Sequence, residues 1–186
     1  GIVFASDGYV YAPEQGANAI ARLDPTSGQS VDIPVPTPNS TTQSGVLGPD
    51  GAIWFVERSA AKIGRMTLDG TFTEYPLAPG AFPNRIVAGP DGALWFTVLN
   101  AGKLGRITTD GTLSEYAITG GPVGITVGKD GQFYVDLFNA RAVARVNLDG
   151  HVTGQWSLLG AVGPLQIATG FGLDICVTDA SAGNLY

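Results

Sequence analysis

The sequence predicts an all-β fold, a β-propeller of four-stranded blades, on three observations. The first is composition: of 186 residues, 27 are glycine and 12 proline, and only 14% are charged. That balance belongs to short strands joined by tight turns rather than to long surface helices. The second is a repeat. Gly48-Pro49-Asp50-Gly51-Ala52-Ile53-Trp54-Phe55 returns as Gly89-Pro90-Asp91-Gly92-Ala93-Leu94-Trp95-Phe96 and, worn, as Gly128-Lys129-Asp130-Gly131-Gln132-Phe133-Tyr134-Val135. An earlier copy is Ala5-Ser6-Asp7-Gly8-Tyr9-Val10-Tyr11, and a late remnant runs Gly170-Phe171-Gly172-Leu173. The third is a second marker in step with the first, in Ile20-Ala21-Arg22-Leu23, Ile63-Gly64-Arg65-Met66, Leu104-Gly105-Arg106-Ile107 and Val143-Ala144-Arg145-Val146. Aspartates 7, 50, 91 and 130 lie 43, 41 and 39 residues apart, and arginines 22, 65, 106 and 145 keep the same separations.

Each repeat reads as four strands. Strand A is the apolar stretch before the first turn, such as Arg85-Ile86-Val87-Ala88. An Asp-Gly pair then makes a tight hairpin, because both residues tolerate positive φ. Strand B carries the aromatic pair and strand C the Ile-Gly-Arg segment. A second turn at Asp69-Gly70, Asp110-Gly111 or Asp149-Gly150 leads to strand D, as in Thr71-Phe72-Thr73-Glu74-Tyr75. Four-stranded units of about 40–45 residues are the mark of a propeller blade, whereas a stacked solenoid does not suit so long and hairpin-rich a repeat. Repeats fall near 1–43, 44–84, 85–123 and 124–165, with a half repeat at 166–186, about 4.5 in all at the usual blade length. The chain opens at Gly1 without an initiator Met or a signal peptide and ends at Asn184-Leu185-Tyr186, the expected start of a strand C. It is therefore expected to be processed, trimmed or part of a longer product, with missing blades or another chain closing the ring, since bare sheet edges are avoided. Strand order puts the A–B and C–D turns on one face and the longer B–C and D–A connections on the other. Binding sites favour longer loops on a rigid scaffold, so function is expected on that loop face.

Charge and composition exclude several classes. Ten Lys and Arg against sixteen Asp and Glu give a net charge of −6, which argues against nucleic acid or an anionic membrane as partner. No run of roughly 18 apolar residues exists to span a bilayer. Cys176 is the single cysteine and His151 the single histidine, which excludes a disulfide framework, a multi-cysteine zinc site and a paired-histidine metal site. Cys176, in an apolar strand B, reads as a small hydrophobe. Trp54, Trp95, Phe55, Phe96, Phe133 and Tyr134 recur blade by blade and read as core, and the four recurring arginines read as scaffold.

Gly-Pro-Asp-Gly-Ala-Leu-Trp-Phe-Thr, then Lys-Leu-Gly-Arg-Ile-Thr, then Asp-Gly-Thr-Leu-Ser-Glu-Tyr closely resembles the blade of the virginiamycin B lyase (streptogramin lyase) family, across nearly the whole chain. The stretch Ile33-Pro34-Val35-Pro36-Thr37-Pro38-Asn39-Ser40 also resembles that family's D–A connection. The resemblance implies a seven-bladed ring, Mg²⁺, and a histidine base that opens a cyclic depsipeptide by elimination. It places that histidine in a Pro-His-Gly-Ile element just before strand A. The matching residues here are Ser44, Asn84, Val123 and Leu165, none of them histidine, and His151 follows a C–D turn on the opposite face. A general base must lie within hydrogen-bond reach of its proton, so the base is expected in missing blades or not at all.

The resemblance also marks the acidic residue closing strand B, a position filled here by Glu14, Glu57, Val98, Leu137 and Asp179. Glu14, Glu57 and Asp179 are candidate ligands for Mg²⁺ or Ca²⁺, which prefer oxygen donors. The other reading of each is a pair with a nearby cation, such as Arg58 beside Glu57, or a solvated side chain. Asp136 lies one position earlier and is expected to point the other way along the pleat. Asn84-Arg85 breaks the repeat on the loop face and is the candidate contact for an anionic or carbonyl ligand; Ser44 joins it as a candidate ligand-binding residue.

The expected function is a ligand- or partner-binding propeller whose loop face holds a small molecule or protein, with a secreted or periplasmic location and a cytoplasmic one left open. The alternative is a Mg-dependent carbon–oxygen lyase or a lactone hydrolase with its catalytic histidine in missing blades.

Overall fold

Each Asp-Gly pair closes the first hairpin of a blade because its glycine takes a left-handed backbone angle. φ is 86° at Gly8, 75° at Gly51, 74° at Gly92 and 71° at Gly131, values that glycine reaches at little steric cost. The structure is a computed structural model and describes residues 1–170 and 175–179. Blade one contains β1 (Val3–Phe4), β2 (Val10–Glu14), β3 (Ala19–Leu23) and β4 (Ser30–Pro34). Blade two contains β5 (Thr42–Leu47), β6 (Ile53–Glu57), β7 (Lys62–Met66) and β8 (Phe72–Pro76). Blade three contains β9 (Pro83–Ala88), β10 (Leu94–Val98), β11 (Lys103–Ile107) and β12 (Leu113–Ala117). Blade four contains β13 (Pro122–Val127), β14 (Phe133–Leu137), β15 (Ala142–Val146) and β16 (Val152–Ser157), and β17 (Pro164–Thr169) pairs with β18 (Ile175–Asp179) in a two-stranded sheet. Every sheet is an antiparallel meander in chain order. The remnant turn expected beyond Gly170 and the strand-C start expected at 184–186 lie outside the described residues. Among the described residues no helix is long and apolar enough to cross a membrane.

The two sequence markers keep one register because they touch. Asp50 accepts hydrogen bonds from Trp54 Nε1 (3.0 Å) and Arg65 Nε (2.7 Å). Asp91 does the same with Trp95 Nε1 (3.2 Å) and Arg106 Nε (2.8 Å). In blade four Asp130 accepts from Tyr134 Oη at 3.1 Å, with Arg145 at 3.8 Å. Each carboxylate also accepts the N–H two residues on, at Ala52, Ala93 and Gln132. The aspartate thereby shapes its own turn and locks strand B to strand C through charge-assisted bonds. A similar coupling explains the Ile-Gly-Arg pattern: Gly64 and Gly105 lie under the rings of Phe55 and Phe96, where a Cβ would come within 2.2 and 2.1 Å of ring carbons. Where the aromatic is replaced by Val135, Ala144 takes the glycine's place.

The core lies in the seams between blades. One apolar cluster joins Val3, Tyr11 and Ile20 to Ile53, Phe55 and Met66; a second joins Trp54 and Ile63 to Leu94 and Phe96; a third joins Trp95 and Leu104 to Phe133 and Val135. Trp95 stacks on Tyr116 at 5.2 Å and meets Phe133 at 4.6 Å, so the recurring aromatics are inter-sheet packing, as the sequence predicted. The inner strands β5, β9, β13 and β17 pack side by side. That brings the loop-face ends of four blades to one place.

Candidate ligand-binding site

A register shift at the start of every complete inner strand builds this place. β5 slips between Gln43 and Gly45 against β6, β9 slips between Pro83 and Ile86 against β10, and β13 slips between Pro122 and Ile125 against β14. A bulge of this kind adds a residue and re-aims side chains, and such features gather beside functional sites. Phe55, Phe96 and Val135 face Gly45, Ile86 and Ile125. Gln43, Asn84 and Val123 are therefore equivalent, and so are Ser44, Arg85 and Gly124. The sequence match of Ser44 with Asn84 is thus one residue out, because the extra bulge residue is invisible to simple counting, and Gln43 holds that position. Leu165 belongs to the same set by its place in β17.

A cavity of about 300 Å³ opens on the loop face, with Gln43, Arg58, Asn84, Arg85 and Gln166 as its polar lining. Leu99, Val123 and Phe138 supply its apolar wall. A smaller hollow of about 190 Å³ lies next to it, bounded by Ser44, Gly124, Ile125 and Ile167, and the two share Arg85 and Gln166. Of the ligand contacts expected from sequence, Asn84 and Arg85 line the main cavity and Ser44 only the smaller one.

These side chains are held from below. Asn84 Nδ2 donates to Val123 O at 2.9 Å, and Thr97 Oγ1 donates to the same carbonyl at 2.7 Å while accepting from Arg85 N at 3.1 Å. Ser44 Oγ accepts from Ile86 N at 3.3 Å, tying two inner strands together. Arg85 Nη1 donates to Asn84 O at 3.4 Å. Arg58 lies over the Phe82 ring at 5.9 Å, and its buried Nε has no hydrogen-bond partner among the described residues. Gln43 Oε1 is likewise buried and unpartnered. Buried polar atoms are nearly always satisfied, so an orphaned donor and an orphaned acceptor in one cavity are an opening for a ligand.

Asp136 enters here although its place one position before the end of strand B keeps it out of the expected set. It points the other way along the pleat, as expected, and that direction takes it under the inner strand: Oδ1 accepts from Gly124 N, and Oδ2 is buried without a partner. Burial pushes its carboxyl up to about 6, while hydrogen bonds from the Gly124 and Val123 backbone and the charge of Arg85 pull the other way. The signal that could have found it is positional: its equivalents on β6 and β10 are Val56 and Thr97, so a carboxylate there departs from the repeat.

The three candidate metal ligands are not brought together. Glu14 is exposed at the end of β2. Glu57 is fully buried in the seam toward blade one, where burial and the Glu74 carboxylate push it up to about 7 against the pull of Lys62. Asp179 closes β18 and accepts the N–H groups of Val162 (2.6 Å) and Gly163 (3.1 Å) from the connection after β16. Residues at this strand position face the seams rather than the axis. Among the described residues no three His, Cys, Asp or Glu are grouped as a cation would need, and Mg²⁺ or Ca²⁺ takes about six or more oxygens. The donor set of these three residues does not fit either ion. Nor does Arg58 pair with Glu57: among the described residues it makes no ion pair, and Glu57 feels Lys62 and Glu74 instead. His151 is exposed after the β15–β16 turn, and its backbone N–H donates to Asn147 Oδ1, on the face opposite the cavity.

Comparison with known proteins agrees with this architecture. The model of the virginiamycin B lyase family matches residues 1–185. A virginiamycin B lyase of Nocardia farcinica is 40% identical over 76 residues, which is 41% of this chain and 26% of that protein, so the match spans about a quarter of the curated relative. The crystal structure of selenomethionine-substituted virginiamycin B lyase from Staphylococcus aureus superposes with a TM-score of 0.90 at 32% identity, covering 100% of this chain and 67% of that one. A catalytically inactive histidine-to-alanine variant of the staphylococcal enzyme, solved with quinupristin, gives the same values.

Proposed function

The chain belongs to the virginiamycin B lyase family, and from that premise we propose that it is a ligand-binding module whose loop-face cavity takes a carbonyl-rich molecule of the cyclic depsipeptide kind. The observation that carries this reading is the cavity lining: two guanidiniums and three amides around an apolar wall, and no histidine or carboxylate among them. Amides and guanidiniums donate to ligand carbonyls, and Leu99, Val123 and Phe138 shelter apolar side groups. The volume suits a small ligand or part of a larger one. The quinupristin named with the staphylococcal relative supplies a concrete probe of this class.

Ring opening by elimination needs a base that removes a proton beside the carbonyl. On the loop face the described cavity side chains are amides, guanidiniums or apolar groups, none of them a general base, and the histidine of this chain stands on the other face. Among the described residues Glu14, Glu57 and Asp179 are not gathered as a cation site. Isothermal titration of the protein with quinupristin tests the binding role: binding that Arg85→Gln weakens is expected. Chromatography of quinupristin after long incubation tests the alternative of a carbon–oxygen lyase or lactone hydrolase, and a ring-opened product would replace the binding role with it.

A further inference from the structure

We infer that the loop-face cavity is selective for an organic carboxylate, held between the guanidiniums of Arg58 and Arg85; this deepens the binding role proposed above and rests on it. Among the described residues Lys62, Arg65, Lys103, Arg106 and Arg145 each sit within 4 Å of a carboxylate; Arg22, Arg58, Arg85, Lys129 and Arg141 do not, and of these only Arg58 and Arg85 line the cavity. Two arginines without an ion pair on the wall of one cavity form a local positive site.

Both residues also break the repeat. Arg58 opens the B–C turn where blades three and four have Leu99 and Phe138, and Arg85 stands in blade three where blades two and four have Ser44 and Gly124. Of the four arginines that recur, Arg65, Arg106 and Arg145 pair with the turn aspartate of their blade, and Arg22 lies over the Tyr9 ring. Departures from a local rule without a structural use concentrate at functional sites.

The guanidinium presents paired N–H donors that match the two oxygens of a carboxylate. The buried Arg58 Nε–H lacks an acceptor, and Gln43 Oε1 lacks a donor. A ligand carrying a carboxylate and a neighbouring amide N–H satisfies both at once. The apolar wall of Leu99, Val123 and Phe138 calls for an organic body, which separates this chemistry from inorganic phosphate. Asp136 feels the Arg85 charge but makes no ion pair with it: its Oδ1 is held by Gly124 N, and the carboxyl is buried.

The test uses three probes on the full chain: N-acetyl-phenylalanine as its carboxylate, the corresponding primary amide, and inorganic phosphate. Binding is followed by NMR through the side-chain Nε–H signals of Arg58 and Arg85. The expected result is that the acid shifts both signals and binds about tenfold or more tightly than the amide, the scale of a charge-assisted hydrogen bond. Arg58→Gln and Arg85→Gln should each lose about that factor, with Arg85→Lys retaining part of it and melting temperature reporting that the variants fold. Equal binding of acid and amide, or phosphate binding alone, would overturn the carboxylate assignment. Quinupristin binding without acid preference would leave the binding role intact and remove only this inference; failure of all four probes would remove both.

Discussion

The tight-turn face and the loop face of this propeller are built from the same repeats, yet they keep the repeat to very different degrees. On the tight-turn face the Asp50–Trp54–Arg65 clamp recurs as Asp91–Trp95–Arg106 and, with Tyr for Trp, as Asp130–Tyr134–Arg145. On the loop face equivalent positions hold Gln43, Asn84 and Val123, then Ser44, Arg85 and Gly124, then Arg58, Leu99 and Phe138. A scaffold position must satisfy the same neighbours in every blade, so its residue recurs. A ligand meets each blade from a different side, so its contacts need not. The difference separates what holds the blades from what they hold.

Removing a scaffold residue should have the largest effect. Trp95→Ala deletes a fully buried ring that stacks on Tyr116 and Phe133 and donates to Asp91. A loss of about 3–5 kcal/mol in chemical denaturation is expected, the range for large aromatic truncations in a core.

The buried carboxylate in the first seam should show itself through pH. Glu57 is raised from 4.5 to about 7 in the folded chain, so the folded state holds a proton that the unfolded state has already lost. Stability from this group is present below pH 4.5 and falls as pH rises through 7, by on the order of 2–3 kcal/mol. Glu57→Gln should flatten most of that slope in denaturation curves taken from pH 4 to 8. A smaller slope between about pH 4 and 6 should remain, because Asp136 is raised in the same direction. An unchanged slope in the variant would place the cost elsewhere.

A pair of arginine variants sharpens the comparison between faces. Arg106→Gln breaks a partly exposed clamp to Asp91 and should cost about 1 kcal/mol of stability while leaving quinupristin affinity unchanged. Arg85→Gln should cost under about 0.5 kcal/mol and weaken binding by about tenfold. Equal effects on binding would erase the distinction. The smallest expected effect is that of a cation: because Glu14, Glu57 and Asp179 are not gathered, millimolar Mg²⁺ or Ca²⁺ should leave the melting temperature unchanged, whereas specific binding would raise it.

The scaffold was legible because its residues touch residues at fixed spacing. Asp50 and Arg65 bond each other, so their separation is copied from blade to blade and two markers in one register disclose the strand order. Asn84 and Arg85 stand out by the opposite signal, as breaks in that pattern on the wall of the cavity. What stayed hidden depended on geometry that spacing does not carry. The bulge at Gln43–Gly45 moves the register by one, which exchanged Ser44 for Gln43. Alternation along strand B says which side of the sheet Glu57 and Asp179 take, but not that this side is a seam rather than the axis. Arg58, next in sequence to Glu57, looked like its partner; the chain turns there and sends the guanidinium into the cavity instead.

The central claim is that the loop-face cavity, and not the repeated clamp face, receives the ligand. Backbone and side-chain NMR shifts recorded while quinupristin is added test it most directly. The largest shifts are predicted at Gln43, Arg58, Asn84, Arg85 and Gln166, with Asp50, Asp91 and Asp130 unmoved. Shifts centred on the aspartate clamps, or none at any concentration, would contradict it.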